Sequence, residues 1–360
     1  MGKKVKITKR DKVIKRDEVF ILVNEFIRES SSGKRLKKNG TRISHGTVIN
    51  YQYLQKHLIE YADSATFELK IYIAGNLTQF QKERAKNYYN KFYKGFTRYL
   101  YQQGHFDNYV GFIIKNLRTF FNYLLHEKMI DVGSYHRSFF VPSEEIPIVT
   151  LNKEHLQYML NNEFYNSLLE KHQLIFIRDL FIFGCTVALR ISDLLALSRK
   201  NLIVIGDNYY INVKSRKTAT NTSIKLPPYA VEILQKYYKK NNSTIFPAIS
   251  IGYINIQLKR IGSLLPDNYE MIKTRERRGK QVIVYKDPDK KQHYRLSDHI
   301  TAHTMRRTAI TNMLLLGMPE HLVRRISGHA PNSKEFFRYV KLSQSFMDEE
   351  TDRIFDKLMS

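Results

Sequence analysis

The sequence predicts a mainly α-helical protein with a small antiparallel β-sheet, an α+β architecture in two domains. Three observations predict it. The chain has 360 residues, more than one compact core ordinarily organises, so two domains are the default. Apolar residues recur at helical spacing from Val19 to Glu127 and again after His303. The stretch 202–226 instead shows short apolar runs separated by turn residues, the mark of a strand meander.

Residues 1–16 are dense in Lys and Arg and read as a flexible basic arm. A first domain is expected over 17–145. Val19 to Ile27 has helical spacing, and 29–42 reads as a basic loop containing Ser and Gly. Ser44 can cap a helix running through Ile49, Tyr53 and Leu54 to Tyr61. Longer aromatic-rich helices follow over Leu77 to Gln102 and Phe106 to Glu127. Their tyrosines read as core or helix-seam residues rather than base-stacking platforms. Phe139 to Pro147 holds two prolines, which fix φ and disfavour helix, so an extended linker is expected with the domain boundary near 142–149.

The second domain is expected over 150–360. Helices are predicted at 152–170, 173–189 and 190–198; the apolar run from Leu174 to Leu189, broken by Arg178, reads as a buried helix. Leu202 to Ile205, a turn at Gly206-Asp207-Asn208, Tyr209 to Val213 and Thr222 to Leu226 give the antiparallel meander. Pro227-Pro228 starts a helix to Lys240. Residues 268–296 are charged, and Val282 to Tyr285 suggests a second hairpin within this domain. From His303 onward helices are separated by turns at Gly317-Met318-Pro319 and Ala330-Pro331-Asn332.

The formal net charge is +25 with 42% hydrophobic residues. So large an excess repels itself unless it meets a polyanion, and dispersed Lys and Arg fit nucleic acid better than an anionic membrane surface. No apolar run approaches the roughly 20 residues of a membrane span. Met1-Gly2-Lys3-Lys4 is followed by no apolar core, so no secretory leader is expected. The single cysteine, Cys185, lies in apolar surroundings and reads as a small core residue in a reducing compartment, hence a cytoplasmic protein.

Several residues stand out chemically. Arg190 ends the long apolar helix; it can pair with Asp193 or clamp a phosphate, since a charge there is costly to bury alone. His303 and Arg306 are three apart and share a helix face near a helix start, where an anion is favoured. His299 stands four before His303, but no Glu follows it and no third ligand is evident, so zinc is not expected. Gly328-His329 ends a helix and can point the imidazole into a cleft, or serve as an ordinary cap. Tyr339 lies among Phe336, Phe337 and Val340, either packing or reactive. Lys217-Thr218 follows the second strand, solvated or reaching across a groove.

In this order and at these separations the motifs resemble those of the tyrosine recombinase (phage-type integrase) family. The first arginine box resembles Ala188-Leu189-Arg190-Ile191-Ser192-Asp193-Leu194, with Ala188 where the family often has Gly. The hairpin lysine resembles Lys217, with Lys214 as a competitor. The HxxR box matches His303 to Arg306, continued by Arg307-Thr308. The second histidine box matches Ile326-Ser327-Gly328-His329, and the nucleophile resembles Tyr339. The motif resemblance covers about 173–341.

The resemblance implies a fold of two parts, a helical core-binding (SAM-like) DNA-binding domain at 17–145 and a catalytic domain at 150–360, forming a clamp around DNA. It implies a site-specific recombinase or integrase that cleaves duplex DNA through a 3′-phosphotyrosyl intermediate. The catalytic residues would be Arg190, Lys217, His303, Arg306, His329 and Tyr339. The covalent bond conserves energy, so no cofactor, ATP or metal is implied. The implied partners are double-stranded DNA, three further protomers in a homo-tetramer, and accessory DNA-bending or directionality proteins; no membrane is implied. The setting would be nucleoid-associated, in a bacterium, phage or other mobile element. Relatives of the same chemistry, a type IB topoisomerase-like enzyme or a non-catalytic DNA-binding protein, stay open at this point. The amphipathic segment Met347 to Leu358 can pack on a neighbouring subunit or on its own domain.

Overall fold

A computed structural model describes residues 12–64, 67–168, 172–214, 221–238 and 243–359. Among the described residues the chain is helical with four small antiparallel sheets, three of two strands and one of three, the predicted class. It divides into two compact units: one of the residues up to Ile146 together with Thr274–Ile283, the other of Pro147–Lys273 and Val284–Ser360.

The first unit is built on α1 (Arg16–Ser32), α2 (His45–Ser64), α3 (Gln79–Gln102) and α4 (Asp107–His126). Each buries the apolar stripe its sequence encodes. On α4 that stripe is Val110, Ile113, Ile114, Leu117, Phe120, Phe121 and Leu124, all buried. Two aromatic helices meet in one core where Tyr89, Phe92 and Phe96 are buried, so these tyrosines and phenylalanines do pack as expected. Gly111 on α4 is required by close approach: a Cβ there would stand 1.9 Å from the carbonyl oxygen of Pro142.

Two boundaries differ from the sequence reading. The expected basic arm at 1–16 runs into structure: Val13–Ile14 pairs with Ile71–Tyr72, Ile14 is buried, and α1 begins at Arg16. Residues 1–11 of that arm lie outside the described residues. The expected loop at 29–42 starts later, because α1 continues to Ser32 and ends at Gly33, whose φ is +81°. The reason is a buried polar anchor. Glu29 accepts hydrogen bonds from Tyr123 Oη at 2.7 Å, Lys34 Nζ at 2.8 Å and Lys128 Nζ at 3.0 Å. Burial opposes its charge, but these donors outweigh it and hold its pKa down to about 2.

The hairpin within 268–296 forms, with strands Lys273–Arg277 and Lys280–Val284. It belongs to the first unit rather than to the second as expected. Two buried carboxylates of the first unit account for this. Glu144 receives Arg275 Nη2 at 2.6 Å, Arg275 Nε at 3.0 Å and the Glu276 N–H at 2.6 Å. Asp107 receives the N–H groups of Arg278 at 2.7 Å and Gly279 at 2.8 Å, besides Tyr101 Oη at 2.7 Å.

The second unit centres on α7 (His172–Val187), preceded by α5 (Lys153–Leu160) and α6 (Asn162–Ser167). The expected single helix at 152–170 is thus two, because Asn161 ends α5 in an extended conformation and caps α6 through Glu163 N–H. Arg178 interrupts the apolar face of α7 without penalty. It donates to the Met159 carbonyl at 2.7 Å and pairs with Asp179 at 2.6 Å, which also receives Lys236 and Tyr237, each at 2.8 Å. The short helix α8 (Ile191–Leu194) replaces the expected helix 190–198.

The meander has strands Leu202–Ile205, Asn208–Lys214 and Asn221–Lys225 in sequential order, with Leu202 opposite Ile211 and Ile211 opposite Ile224. Then come α9 (Pro228–Tyr237), α10 (Ile251–Gly262), α11 (Leu296–His299), α12 (Ala302–Leu315), α13 (Glu320–Ser327) and α14 (Lys334–Met359). Helix α12 packs tightly on α7, where a Cβ on Gly184 would stand 2.6 Å from Met305 Sδ. Cys185 is a buried thiol beside Thr308, its pKa pushed up by burial. Among the described residues no helix is long and apolar enough to cross a membrane.

Candidate active site

The second unit brings five of the six predicted residues together. Helix α7 ends at Val187, and Ala188 turns the chain in the left-handed region at φ +54°. Arg190 then caps α8, its carbonyl accepting the N–H groups of Asp193 and Leu194, each at 2.8 Å. It is therefore a helix N-cap rather than a helix C-terminus, and it is half-buried while Asp193 is buried.

Helix α12 supplies His303, Arg306 and Arg307. Arg306 is 3% exposed. Its Nη1 donates to the Ala188 carbonyl at 2.9 Å, which fixes the guanidinium plane. Its Nη2 stands 3.4 Å from Nδ1 and 3.2 Å from Nε2 of His329. A donor in line with one ring lone pair would be clearly farther from the other nitrogen, so the guanidinium lies across the imidazole.

His329 is delivered by a helix ending. The N–H of Gly328 donates to the Arg325 carbonyl and that of His329 to the Arg324 carbonyl, with Gly328 at φ +62°. This paired closure needs a residue at positive φ, which glycine supplies without strain. Ser327 Oγ donates to the Val323 carbonyl at 2.7 Å and stands 2.8 Å from His329 Nδ1. With its own proton committed to the carbonyl, Ser327 accepts Nδ1–H, which leaves Nε2 as the acceptor nitrogen of the neutral ring.

Tyr339 stands on α14. Its ring is 2% exposed, packed with Ala188, Ile310 and Phe336, and lies 6.0 Å from the His329 ring. Of the charges acting on its hydroxyl, Arg307 is foremost, followed by Arg306. The packing and the reactive reading therefore coexist: the ring is core, the oxygen faces cations.

The electrostatics are those of an anion-binding site. Burial, then Arg306, Arg190 and Arg324, push His329 down to about 3. Enclosure by its neighbours, then Arg307, Arg306 and Arg190, push His303 down to about 4, although its surface is exposed by area. Burial and Arg190 lower even Arg306 to about 10, which leaves it protonated at neutral pH. Burial raises the Tyr339 phenol, while Arg307 and Arg306 oppose the rise. Asp193 and Glu335 are the carboxylates acting on these groups, too few to neutralise Arg190, Arg306 and Arg307, while Arg324 pairs with Glu320 at 3.8 Å. A phosphodiester oxygen fits that imbalance.

Lys217 lies outside the described residues, which resume at Asn221. Its competitor Lys214 ends the middle strand of the meander and is exposed. Sequence reasoning gave no role to Arg307, Glu335 or Ser327. The spacing held the signal: Arg307 is four residues after His303 and Glu335 four before Tyr339, so each shares a helix face with a predicted residue. Among the described residues no group of three His, Cys, Asp or Glu side chains is placed to hold a metal.

Known proteins share the family and the fold of this chain. The model of the phage integrase family matches residues 151–345. No curated protein matches the sequence. Among solved structures, the XerH site-specific recombinase bound to palindromic difH substrate in a post-cleavage complex is 15% identical, with a TM-score of 0.59 over 93% of this chain and 95% of that one. A lambda integrase dimer bound to a COC′ core site is 12% identical, with a TM-score of 0.58 over 91% and 95%. A lambda integrase tetramer bound to a Holliday junction is 14% identical, with a TM-score of 0.54 over 92% and 78%.

Proposed function

We propose, for a chain that belongs to the phage integrase family and is a tyrosine-type site-specific DNA recombinase, that Tyr339 is the nucleophile and that Arg190, His303, Arg306 and His329 form the phosphate pocket around it. The observation that carries the reading is the convergence of these five side chains from four separate elements on one small volume. Arg190 and Arg306 offer paired donors to the non-bridging oxygens, and preorganised charge of this kind is usually the largest catalytic term. His329 gives a further hydrogen bond once the phosphate has raised its affinity for a proton.

In the step, the Tyr339 O–H bond breaks and its oxygen bonds to phosphorus. The phenolic proton passes to His303. The bond from phosphorus to the 5′ oxygen breaks, leaving a 3′-phosphotyrosyl ester. The departing 5′ oxygen takes a proton, and Lys217 is the group we assign to supply it. Reversal by another 5′ hydroxyl rejoins the strand without an external energy source.

The solved relatives are bound to DNA, one of them as a tetramer on a Holliday junction, and we extend both duplex DNA and a homo-tetramer to this chain. Exposed Met347, Phe355 and Leu358 on α14 support a subunit contact there. Accessory DNA-bending or directionality proteins, and a cytoplasmic setting with the nucleoid, belong to the same proposal. The test is covalent capture. A nicked duplex carrying a cleavage site, selected from a random-sequence library by trapping, should bind wild-type protein covalently and Tyr339→Phe not at all. Covalent trapping by Tyr339→Phe would remove the nucleophile assignment.

A further inference from the structure

The last residue of α13, Ser327, is 2% exposed and sits directly behind the His329 ring. Its Oγ is 2.7 Å from the Val323 carbonyl oxygen and 2.8 Å from His329 Nδ1, with the Arg324 carbonyl farther away at 3.3 Å. A hydroxyl has one proton, and a carbonyl only accepts. Two oxygens this close would repel without a proton between them, so the Ser327 proton lies on the Val323 bond. The contact with His329 then takes its proton from the ring, on Nδ1. Arg306 agrees with that tautomer: its Nη2, which only donates, lies 3.2 Å from Nε2. A proton on Nε2 would set one donor against another. The chain of bonds is anchored at both ends. Val323 and Ala188, whose carbonyls receive Ser327 and Arg306, belong to the same buried apolar cluster as Tyr339.

We propose that Ser327 is a positioning residue for His329: its hydroxyl, committed to the Val323 carbonyl, holds the ring by Nδ1–H and so reserves Nε2 for the scissile phosphate. The inference rests on the reading that His329 lines the phosphate pocket. Which ring nitrogen of a histidine carries the proton is set by the bond the other one makes. The backbone closure at Gly328 fixes where the His329 side chain starts, but not how its ring is turned. Turning the ring over would put a carbon against the Ser327 oxygen and lose the bond. Without the hydroxyl, the ring is free to carry its proton on either nitrogen. The same bond also answers to charge. When a phosphate brings a proton to Nε2, the ring becomes a cation and the Nδ1–H bond to Ser327 becomes charge-assisted, roughly twice as strong as before. Ser327 therefore favours the loaded pocket over the unloaded one, which is the difference that accelerates a reaction.

The experiment reads the tautomer directly. The full chain is labelled at its histidine ring nitrogens, and the His329 resonances are identified by their loss in His329→Gln. The protonated and bare nitrogens of a neutral ring resonate far apart, so one spectrum at neutral pH gives the tautomer. The expected result is a proton on Nδ1 in wild-type protein, a mixture of both tautomers in Ser327→Ala, and Nδ1–H again in Ser327→Thr, which keeps the hydroxyl. Covalent trapping on the selected nicked duplex should fall about tenfold or more in Ser327→Ala and stay within about threefold of wild type in Ser327→Thr, with DNA affinity retained in both. Wild-type protein with its proton on Nε2 overturns the proposal. So does a folded Ser327→Ala that keeps either the wild-type tautomer or wild-type cleavage, and so does a folded Ser327→Thr that behaves like the alanine variant. The wild-type spectrum needs no Ser327 substitution, and thermal melts show whether each variant folds. Full cleavage by His329→Gln would instead remove His329 from the phosphate pocket, whatever tautomer Ser327 imposes.

Discussion

The carbonyl oxygen of Ala188 accepts a 2.9 Å hydrogen bond from Nη1 of Arg306, and Ala188 can offer it there only because its backbone sits at φ +54°. The chain leaves α7 in a left-handed turn that aims this carbonyl at the guanidinium. A non-glycine residue in that region is strained by about 1–2 kcal/mol. Glycine would relieve the strain, but it costs about 0.5–1 kcal/mol in unfolded-chain entropy and loses a buried methyl worth about 0.8 kcal/mol. The terms nearly cancel. Ala188→Gly should therefore leave stability within about 1 kcal/mol and cleavage intact, whereas Ala188→Val, β-branched in a fully buried left-handed position, should lose 2 kcal/mol or more (~) and most cleavage. Thermal melts and covalent trapping of the two variants check both. A large stabilisation by glycine would mean that the methyl contributes nothing.

Arg306→Lys should lose cleavage by about a hundredfold or more while DNA affinity changes little. Lysine keeps one positive charge but cannot hold the Ala188 carbonyl and a phosphate oxygen in one plane. Single-turnover trapping and a binding titration on the same duplex separate the two effects. Equal losses in both would make Arg306 an ordinary binding contact.

The histidines make a pH prediction with a definite sign. Burial and the surrounding guanidiniums hold His303 near 4 and His329 near 3, so both are neutral at pH 7. A phosphodiester among the same arginines adds negative charge and favours the protonated rings. Binding should then take up protons, and affinity should rise as pH falls from 8 toward 6, by at most about tenfold per pH unit for each proton. His329→Gln should flatten that slope. A pH-independent affinity for the wild-type chain would mean that the phosphate does not enter between these rings.

Much of this site was legible because it is written in local spacing. His303 and Arg306 share a helix face whatever the tertiary structure, and Gly328-His329 reads as a helix ending because few other residues tolerate positive φ. What the sequence hid was long-range. Arg190 read either as a cap on the helix before it or as the start of the helix after it, and the left-handed turn at Ala188 makes it the N-cap of α8. Arg307 looked like a continuation of a motif until α14 was laid against α12. The hairpin at 273–284 was recognisable from its alternation, but nothing local says that Glu144, more than a hundred residues earlier, would receive it. Glu29 hid the true end of α1 in the same way, since its partner Tyr123 lies on α4.

Glu144 gives the last prediction, on stability rather than chemistry. Its side chain is 1% exposed. It accepts two bonds from Arg275 and one from the Glu276 N–H, while its backbone N–H donates to Asn108 Oδ1 at 3.0 Å. Burial works against its charge, yet these donors bring its pKa below the ordinary carboxylate value. Removing one partner of a buried pair is costly because the other charge is left behind, typically about 3–5 kcal/mol. Glu144→Ala should approach that loss. Glu144→Gln, which keeps an acceptor but not the charge, should lose roughly half as much. Because the carboxylate pKa is depressed on folding, its contribution is present above the unfolded value of 4.5 and fades as pH falls through the folded one. Urea denaturation at pH 7 and pH 4 measures both, and amide exchange in Lys280–Val284 should quicken in the alanine variant while exchange in α7 stays slow. If both variants unfold within about 0.5 kcal/mol of wild type, the hairpin is held by its arginines on Phe106 and Tyr101 rather than by this carboxylate.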